Sequence, residues 1–406
     1  MRWHSSGVLL KHSEQALERF LNTPLHPMNV RKMMGGNREQ IGAAVEQLGA
    51  RTARSYRAFS NDVIKRSLDG ETSLRLQSLE SICKREFDLC VSLSEAAEIY
   101  LSDLKRGEIS DDDTLLPNEI SDDASVDNIM RGKISSSDSS QARFIDALEN
   151  LRPHENMLEV VVNEECIRSP VLNTWLSCFC RRRVSWRVIH EHLLHLVGPR
   201  RYPSVIREDH EMGGILEHAC TVVIELYSRV VQAVCGGSLM ITVDERPELL
   251  TQAPQWPLLT SSSDVAPFVP LDLLPTPQLS ECVYSVEGHL EYVFRELIKN
   301  ACVARLKQTL DVELQVNFAL SDTHVVVDVT DKAGGISPEA VKDIWLFGWT
   351  TNTSLGNPMG GFGVGLPASK VYMDLWGGRI DLHTRVGEGT TVRVTFPKSP
   401  IEVLLP

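Results

Sequence analysis

The 406-residue sequence has no CxxC pair, no long apolar run and no excess of basic side chains. Its nine cysteines are scattered without the spacing that chelates a metal or runs thiol exchange, so we read them as reduced packing residues. The net charge is -13, from 41 basic and 54 acidic side chains. Binding to the phosphate backbone of nucleic acid needs a basic face. We therefore expect no nucleic-acid partner.

A membrane span is also not expected. A spanning helix requires about 18 uninterrupted apolar residues, and the best candidate, Thr221 to Cys235, is interrupted by Glu225 and Arg229. The first dozen residues carry Arg2 and Lys11 and no acid. That composition is compatible with a mitochondrial presequence and equally with the solvated start of a helix.

The length predicts two domains. Residues 1–200 contain long segments in which apolar side chains return every three or four positions, such as REQIGAAVEQLGARTARSYRAF, and this predicts an antiparallel helix bundle. Residues 108–140 interrupt the bundle: Glu108 to Asp127 hold eight acids and no basic residue. We expect a disordered insertion there, read either as a solvated loop or as a binding or phosphorylation tail.

Residues 201–406 have a different pattern of apolar and polar residues. A Pro/Ser-rich stretch at about 247–280 predicts a loop. After it, helical patterns near 290–307 and 365–376 combine with alternating strands such as VVVDVT and TVRVTF, which predict a half-buried antiparallel sheet. The fold class expected for the whole chain is α+β, with a helix bundle followed by a sheet-plus-helix sandwich.

The first motif that carries chemistry is RELIKNA. Glu296 and Asn300 are four residues apart, so a helix places both on one face. The amide oxygen of Asn300 suits Mg²⁺, which takes few protein ligands when phosphate oxygens complete its octahedron. Glu296 could then accept a proton from an attacking group. Lys299 either reaches a phosphate or points to water. The pattern E-x-x-K-N is common on surface helices, so by itself it does not identify a nucleotide site.

Three further motifs follow. Asp331 ends a strand before Gly334 and Gly335, where a carboxylate could accept the amino hydrogens of adenine, although an ordinary turn explains it as well. The segment MGGFGVGLP places glycines ahead of an apolar helix, an arrangement that suits phosphate binding. It has neither the Walker A nor the Rossmann spacing. The turn at Gly387 to Thr390 is equally a plain hairpin.

In this order the motifs resemble the nucleotide fold shared by type II topoisomerases, chaperones, histidine kinases and mismatch-repair ATPases. The wording ELIKNA followed by GFGVGLP resembles the mitochondrial 2-oxoacid dehydrogenase kinases, the pyruvate and branched-chain enzymes. The likeness covers Leu290 to Pro397 closely and the helical half loosely. It implies an α/β sandwich of the histidine-kinase-like ATPase type that binds ATP and Mg²⁺.

The resemblance also implies roles for individual residues. Glu296 would be the general base, Asn300 the Mg²⁺ ligand and Asp331 the adenine contact. Gly361 to Leu366 would form the lid over the phosphates. The full set of implied nucleotide-binding residues is Glu296, Lys299, Asn300, Val303, Asp331, Gly335, Thr350, Thr351, Gly361, Phe362, Gly363, Val364, Gly365, Leu366 and Thr390.

The family's activity would make the chain a protein-serine kinase of the mitochondrial matrix that phosphorylates, and so inhibits, the E1 subunit of a 2-oxoacid dehydrogenase complex. The lipoyl domain of E2 would be the docking site and the kinase a homodimer. The resemblance is somewhat closer to the branched-chain type, which has a tyrosine at the position of Tyr292 where the pyruvate-type kinases tend to have histidine. The alternatives are a histidine-type kinase or ATPase on the same fold and a catalytically silent, nucleotide-gated scaffold. Ala333, Val303 and the short lid motivate the second alternative, because they depart from the family pattern.

A basic cluster is the candidate docking surface for an acidic lipoyl domain. Seven arginines fall within 27 residues of an otherwise acidic chain, and an alternative reading pairs several of them with neighbouring acids. They are Arg181, Arg182, Arg183, Arg187, Arg200, Arg201 and Arg207.

Overall fold

The computed structural model describes residues 14–26, 28–29, 40–59, 70–107, 139–151, 169–197, 206–258, 282–306, 312–350, 363–398 and 404–405. The chain divides into two compact units. The first comprises Met1–Val161 and Arg182–Val205 with the final residue, and the second comprises Val162–Arg181 and Ile206–Leu405. The predicted acidic insertion at 108–140 lies almost entirely outside the described residues. The assignment of functions to residues 1–200 and 201–406 remains a prediction.

The first unit is helical, as the periodicity predicts. A helical segment over residues 14–22 precedes α1 (Ile41–Phe59), α2 (Gly70–Arg106) and α3 (Ser140–Asn150), and α4 (Pro170–Val197) is divided between the units. The apolar faces of these helices pack together around Leu48, Leu93, Phe144 and Leu193, each fully buried. The start of α3 is capped by Ser139, whose hydroxyl accepts a hydrogen bond from the Ala142 amide at 3.1 Å.

The second unit contains the sheet. Its strands are β3 (Leu239–Glu245), β5 (Val312–Leu320), β6 (His324–Asp331), β7 (Arg379–Arg385) and β8 (Gly389–Pro397), in the order β3-β5-β6-β8-β7. Two further strands of this unit, β2 (Arg207–Glu211) and β4 (Cys282–Ser285), pair with each other. Two short strands of two residues each remain, β1 (Met28–Asn29) in the first unit and β9 (Leu404–Leu405) in the second. The helices are α5 (Met212–Cys235), α6 (Glu287–Leu306), α7 (Pro338–Val341) and α8 (Gly365–Leu375).

The sheet is mixed rather than wholly antiparallel. Strand β3 runs parallel to β5, while the other three pairings are antiparallel. The antiparallel pairing predicted for the later strands is confirmed, and β3, for which no strand was predicted, adds a parallel strand at the edge of the sheet. The alternating pattern of the later strands gives no information on the direction of β3. Strand β3 follows helix α5 in the chain and is not joined to a neighbouring strand by a hairpin turn.

One face of the sheet is covered by helices. Val325, Val327 and Val329 on β6 share a core with Val223 of α5 and Phe294 of α6. Alternate residues of the same strand, such as Asp328, point to the opposite face, because successive strand side chains alternate. We call this opposite side the outer face of the sheet.

The outer face is crossed by residues 246–258, which we call the strap. It begins with the Arg246 amide bonded to the Phe318 carbonyl at 2.7 Å and contains a 3-10 helix, Pro247–Leu250. Arg393 on β8 donates to the Gln252 carbonyl at 2.8 Å and holds Asp328 in a two-bond ion pair at 2.7 Å. Part of the predicted Pro/Ser-rich loop is thus a packed segment, and residues 259–281 lie outside the described residues.

Six of the cysteines in the part of the chain that the structure describes are free thiols, and five of these six are buried. Burial raises the pKa of Cys83, Cys90, Cys180, Cys220 and Cys302 to about 12 each. Thiols of that kind stay protonated and unreactive, as expected of packing residues. Of the described helices, none is both long and apolar enough to cross a membrane.

Candidate active site

Helix α6 presents Glu296, Lys299 and Asn300 of the RELIKNA motif on the side away from its buried stripe. Val293, Phe294, Leu297 and Ile298 face the core, so the sequence positions between and after them turn outward. Glu296 and Lys299 form an ion pair at 2.5 Å with side chains 14% and 17% exposed. Asn300 follows with an exposed side chain. A carboxylate, an ammonium and an amide thus lie within about one turn of each other on the surface of the helix.

The glycine motif meets this surface at the start of α8. A Cβ added to Gly365 would collide with the Glu296 carboxylate oxygen, so the backbone there lies directly against Glu296. A larger side chain at this position would push the Glu296 carboxylate aside, a shift that costs the fold little because the carboxylate is the end of a flexible side chain. Two motifs far apart in the sequence are brought into contact, as a common site for them requires.

Gly363, two residues earlier, is held by a second close approach. Its φ of 70° is in the left-handed region, and an added Cβ would strike the backbone of Gly348 and Trp349. The Gly348 amide also donates to the Gly363 carbonyl at 3.0 Å. The end of the glycine segment is therefore fixed on the segment before Thr350.

An aromatic cluster sets the distance between α6 and α8. The Trp376 indole N–H donates to His289 Nδ1 at 2.9 Å, so the His289 ring accepts at that nitrogen. Tyr372 packs its ring 4.7 Å from His289 and 5.0 Å from Tyr292, measured between centroids. Sequence reasoning missed this cluster, although aromatic residues four apart on α8 and three apart on α6 were the available signal.

Asp331 ends β6 with a buried side chain, 7% exposed. Burial raises the pKa of this carboxyl to about 6, although hydrogen bonds from the Ala333 and Thr390 backbones oppose the rise. The Ala333 amide donates to Oδ1 at 2.8 Å. In the antiparallel register Thr390 stands directly opposite Asp331. A buried carboxylate with remaining acceptor capacity suits an amino group such as that of adenine.

The glycine pair after Asp331 fits closely against the turn between β7 and β8. Gly334 and Gly335 have φ of 83° and 72°, and a Cβ on Gly335 would collide with the Arg385 carbonyl. The Gly387 amide donates to the Gly334 carbonyl at 2.8 Å. The glycine requirement thus falls on residues 334 and 335, while Ala333 supplies a hydrogen-bond donor to Asp331.

The structure also places the other residues implied by the resemblance. Val303 and Leu366 pack against the core of the second unit. Val364 precedes α8 and Thr350 is the last described residue before the lid. Thr351, Gly361 and Phe362 lie outside the described residues. Nucleotide contacts of this whole set remain a prediction.

The donor set is compatible with Mg²⁺ bound together with a nucleotide. Within the described ranges no group of three or more His, Cys, Asp or Glu side chains could hold a metal ion. An ion at Asn300 would therefore draw most of its oxygens from phosphate and water, which is the usual preference of Mg²⁺.

Comparison with known proteins agrees with this geometry. Residues 285–400 match the histidine kinase-, DNA gyrase B-, and HSP90-like ATPase family, a range that includes α6, β5, β6, α8, β7 and β8. The chain is 23% identical over 286 residues to pyruvate dehydrogenase (acetyl-transferring) kinase 1, mitochondrial, of Saccharomyces cerevisiae, covering 65% of this chain and 64% of the relative. It is 25% identical over 273 residues to the human mitochondrial kinase isozyme 4, covering 61% and 59%.

A shorter match has a higher identity. The mitochondrial isozyme 1 of Mus musculus is 30% identical over 123 residues, 28% of each chain. In each of these comparisons the matched region spans less than two thirds of the relative's length.

Proposed function

We propose that this chain is an ATP-dependent protein kinase of the mitochondrial pyruvate dehydrogenase kinase family. It carries an ATPase domain of the histidine kinase, DNA gyrase B and HSP90 type. Its acceptor is a serine on the E1 subunit of a mitochondrial 2-oxoacid dehydrogenase complex, which phosphorylation inhibits. The observation that carries this proposal is the contact between Gly365 and the Glu296 carboxylate, since it joins a base to a phosphate-binding segment.

Glu296 is the group that accepts the proton. The serine oxygen attacks the γ-phosphorus and forms a P–O bond, while the bond from that phosphorus to the β,γ-bridging oxygen breaks and ADP leaves. The serine proton passes to a Glu296 oxygen. Phosphoryl transfer of this kind depends mainly on positioning and on neutralising charge.

Lys299 is the second charged group in the site. Its ammonium is bound to the Glu296 carboxylate at 2.5 Å. A triphosphate beside α8 would compete for that ammonium, because phosphate oxygens are strong acceptors. Nucleotide binding would then release Glu296 for the serine hydroxyl. Lys299 in this role links nucleotide occupancy to the availability of the base.

Asn300 is the residue that would hold Mg²⁺, one turn beyond Glu296. When bound, the ion neutralises charge on the phosphate oxygens. The N–H groups at the start of α8 and the positive end of that helix would orient the phosphates. Asp331 would accept from the adenine amino group, with Thr390 opposite it in the register.

A labelling assay tests the reaction class. The chain is incubated with γ-labelled ATP with and without a 2-oxoacid dehydrogenase E1 preparation, using pyruvate-type and branched-chain-type E1 in parallel. Acid-stable phosphoserine on E1 is the expected result, and the E1 that is labelled identifies the substrate. Acid-labile label on the chain itself indicates a histidine-type kinase. No label with intact ATP binding indicates a silent scaffold.

The partners and location follow from the same proposal. The chain acts in the mitochondrial matrix as a homodimer and docks on a lipoyl domain of E2. Some of the seven clustered arginines already have partners: Arg183 binds Glu86 through two bonds of 2.7 and 2.6 Å, and Arg187 binds Glu191 at 2.8 Å. The cations left for docking are therefore fewer than the sequence suggests.

Binding of a lipoylated E2 domain at several salt concentrations tests the docking. Affinity should fall as salt rises, because exposed ion pairs are screened. It should fall further when the lipoyl group is absent. Salt-independent binding, or equal affinity for the unlipoylated domain, would refute docking through the arginine cluster.

A further inference from the structure

Trp256 is a buried aromatic residue, 4% exposed, in a segment for which the sequence predicts only a loop. Its indole N–H donates to Glu388 Oε2 at 2.8 Å. Its ring also touches the backbone of the next residue: a Cβ added to Gly389 would lie 2.7 Å from Trp256 Cη2. Trp256 therefore contacts the turn between β7 and β8 by a charged hydrogen bond and by close packing.

The strap holds Trp256 from both sides, independently of that turn. On one side Arg393 donates to the Gln252 carbonyl at 2.8 Å. On the other the Thr384 amide donates to the Pro257 carbonyl at 3.1 Å, and His383 Nδ1 lies 3.2 Å from the Trp256 carbonyl. The indole is thus anchored to the sheet and can act as a fixed support.

The turn that Trp256 supports carries Thr390 and lies against Asp331, the proposed adenine contact. Gly389 precedes Thr390, which stands opposite Asp331, and a Cβ on Gly389 would also collide with the Asp331 carbonyl. Thr384 Oγ1 donates to the Gly389 carbonyl at 2.9 Å and lies 3.0 Å from Thr390 Oγ1. A shift of Gly389 would therefore move Thr390 and the Asp331 backbone together.

Trp256 acts from the face opposite the nucleotide site. Asp331 has the same strand parity as Val327 and Val329, whose side chains join the helix-side core. The strap lies on the outer face, where Arg393 and Asp328 form their buried pair. Trp256 is consequently placed to fix the geometry of the adenine contact without touching the base.

We propose that Trp256 is a positioning residue for adenine recognition: it holds the Gly387–Thr390 turn so that Asp331 and Thr390 select a purine with an exocyclic amino group at C6. The inference rests on the proposed function, because it assumes that ATP binds at this site. It predicts that loosening the support reduces selectivity for adenine rather than nucleotide binding as a whole.

The test compares ATP with ITP, which has an oxygen in place of the adenine amino group. Affinities of Mg·ATP and Mg·ITP are measured by calorimetry for the full chain and for Trp256→Ala, Trp256→Phe and Gln252→Ala. In Trp256→Ala the ATP dissociation constant should rise roughly ten-fold or more, the loss expected of one hydrogen bond to a charged group. ITP affinity should change little, so discrimination between the nucleotides collapses.

The other variants separate positioning from general damage. Trp256→Phe removes the indole N–H and the far ring atoms near Gly389 but keeps an aromatic ring in the strap, so it should lose only part of the discrimination. Gln252→Ala alters a strap side chain that does not contact the turn and should behave as wild type. Glu388→Ala removes the indole's acceptor, so the effect of Trp256→Phe should shrink in that background, as coupled residues require.

The outcomes are distinguishable. Wild-type discrimination in both Trp256 variants would overturn the inference, and so would equal losses of ATP and ITP affinity. If Trp256→Ala does not fold, the ATP and ITP affinities of Trp256→Phe decide whether the inference holds. Failure of the wild-type chain to bind ATP would refute the proposed function and this inference together.

Discussion

Glu296 is the residue on which the proposed chemistry depends, and Glu296→Gln tests it. The variant should lose phosphoryl transfer by roughly 10²-fold or more, the usual contribution of a general base, because an amide cannot accept the proton. ATP affinity should be retained, since the side chains have nearly the same shape. Single-turnover transfer to E1 and calorimetry with Mg·ATP are the measurements.

A matched control lies on the same helix. Glu291 pairs with His218 at 3.3 Å, away from the glycine segment, and Glu291→Gln should leave turnover unchanged. Wild-type turnover in Glu296→Gln would remove Glu296 from the role of base. It would leave the acceptor serine activated by the nucleotide itself.

Asp331 makes stability depend on pH. The carboxyl has a pKa of about 6 in the folded chain against an ordinary value of 3.8, because burial disfavours the charged form. Well below pH 3.8 the group is protonated in both the folded and the unfolded chain and costs no stability. As the pH rises toward 6 the unfolded chain loses the proton first, so the free energy of unfolding falls and then levels off.

Asp331→Asn should remove this decline. Urea unfolding at pH 4, 5, 6 and 7 is the measurement, and the difference in stability between wild type and variant should shift in the variant's favour across that range. A difference that is constant from pH 4 to pH 7 would mean that the carboxyl ionises with an ordinary pKa in the fold.

At the scale of elements, the contact between α6 and α8 is testable through Gly365. Gly365→Ala places a methyl group against the Glu296 carboxylate, so we expect phosphoryl transfer to fall much more than thermal stability. Gly288→Ala is the matched control, because a Cβ there meets nothing within 4 Å. That change should be neutral or stabilise α6 by up to about 1 kcal/mol. Equal activity in the two variants would contradict the packing of α8 against Glu296.

The strap and the sheet are joined by the buried pair of Arg393 and Asp328, whose side chains are 2% and 6% exposed. Arg393→Met should lower the free energy of unfolding by about 3–5 kcal/mol, because it leaves Asp328 buried without its partner. Urea unfolding measures this loss. The double variant Arg393→Met with Asp328→Leu should recover most of it, whereas losses that simply add would show that the pair is not coupled.

At the scale of the whole molecule, the acid-rich stretch is predicted to contribute nothing to folding. A segment dense in acids and poor in large apolar residues buries too little surface to offset the entropy of ordering. Deletion of residues 111–127 should therefore leave the melting temperature and ATP affinity nearly unchanged. Calorimetric melting of the two chains checks this, and a drop of many degrees would mean that the stretch packs on the bundle.

The sequence by itself determined several elements of the second unit. Strand β6 was predicted from the pattern VVVDVT and is observed at His324–Asp331, because β-branched residues favour a strand and that preference is local. The helix at Gly365 was predicted from the glycines before it and observed as Gly365–Leu375. Spacing also identified Glu296 and Asn300 as neighbours on one face, since helical geometry is local.

Only the tertiary structure decided which distant residues meet. The contact of Gly365 with Glu296, the bond from Trp376 to His289 and the support of Gly389 by Trp256 join segments that no local period relates. The strap was unpredictable because its order comes from Arg393 and the strand carbonyls, not from its own pattern. Local periodicity encodes how each element forms; the surfaces buried between elements select which of them pack together.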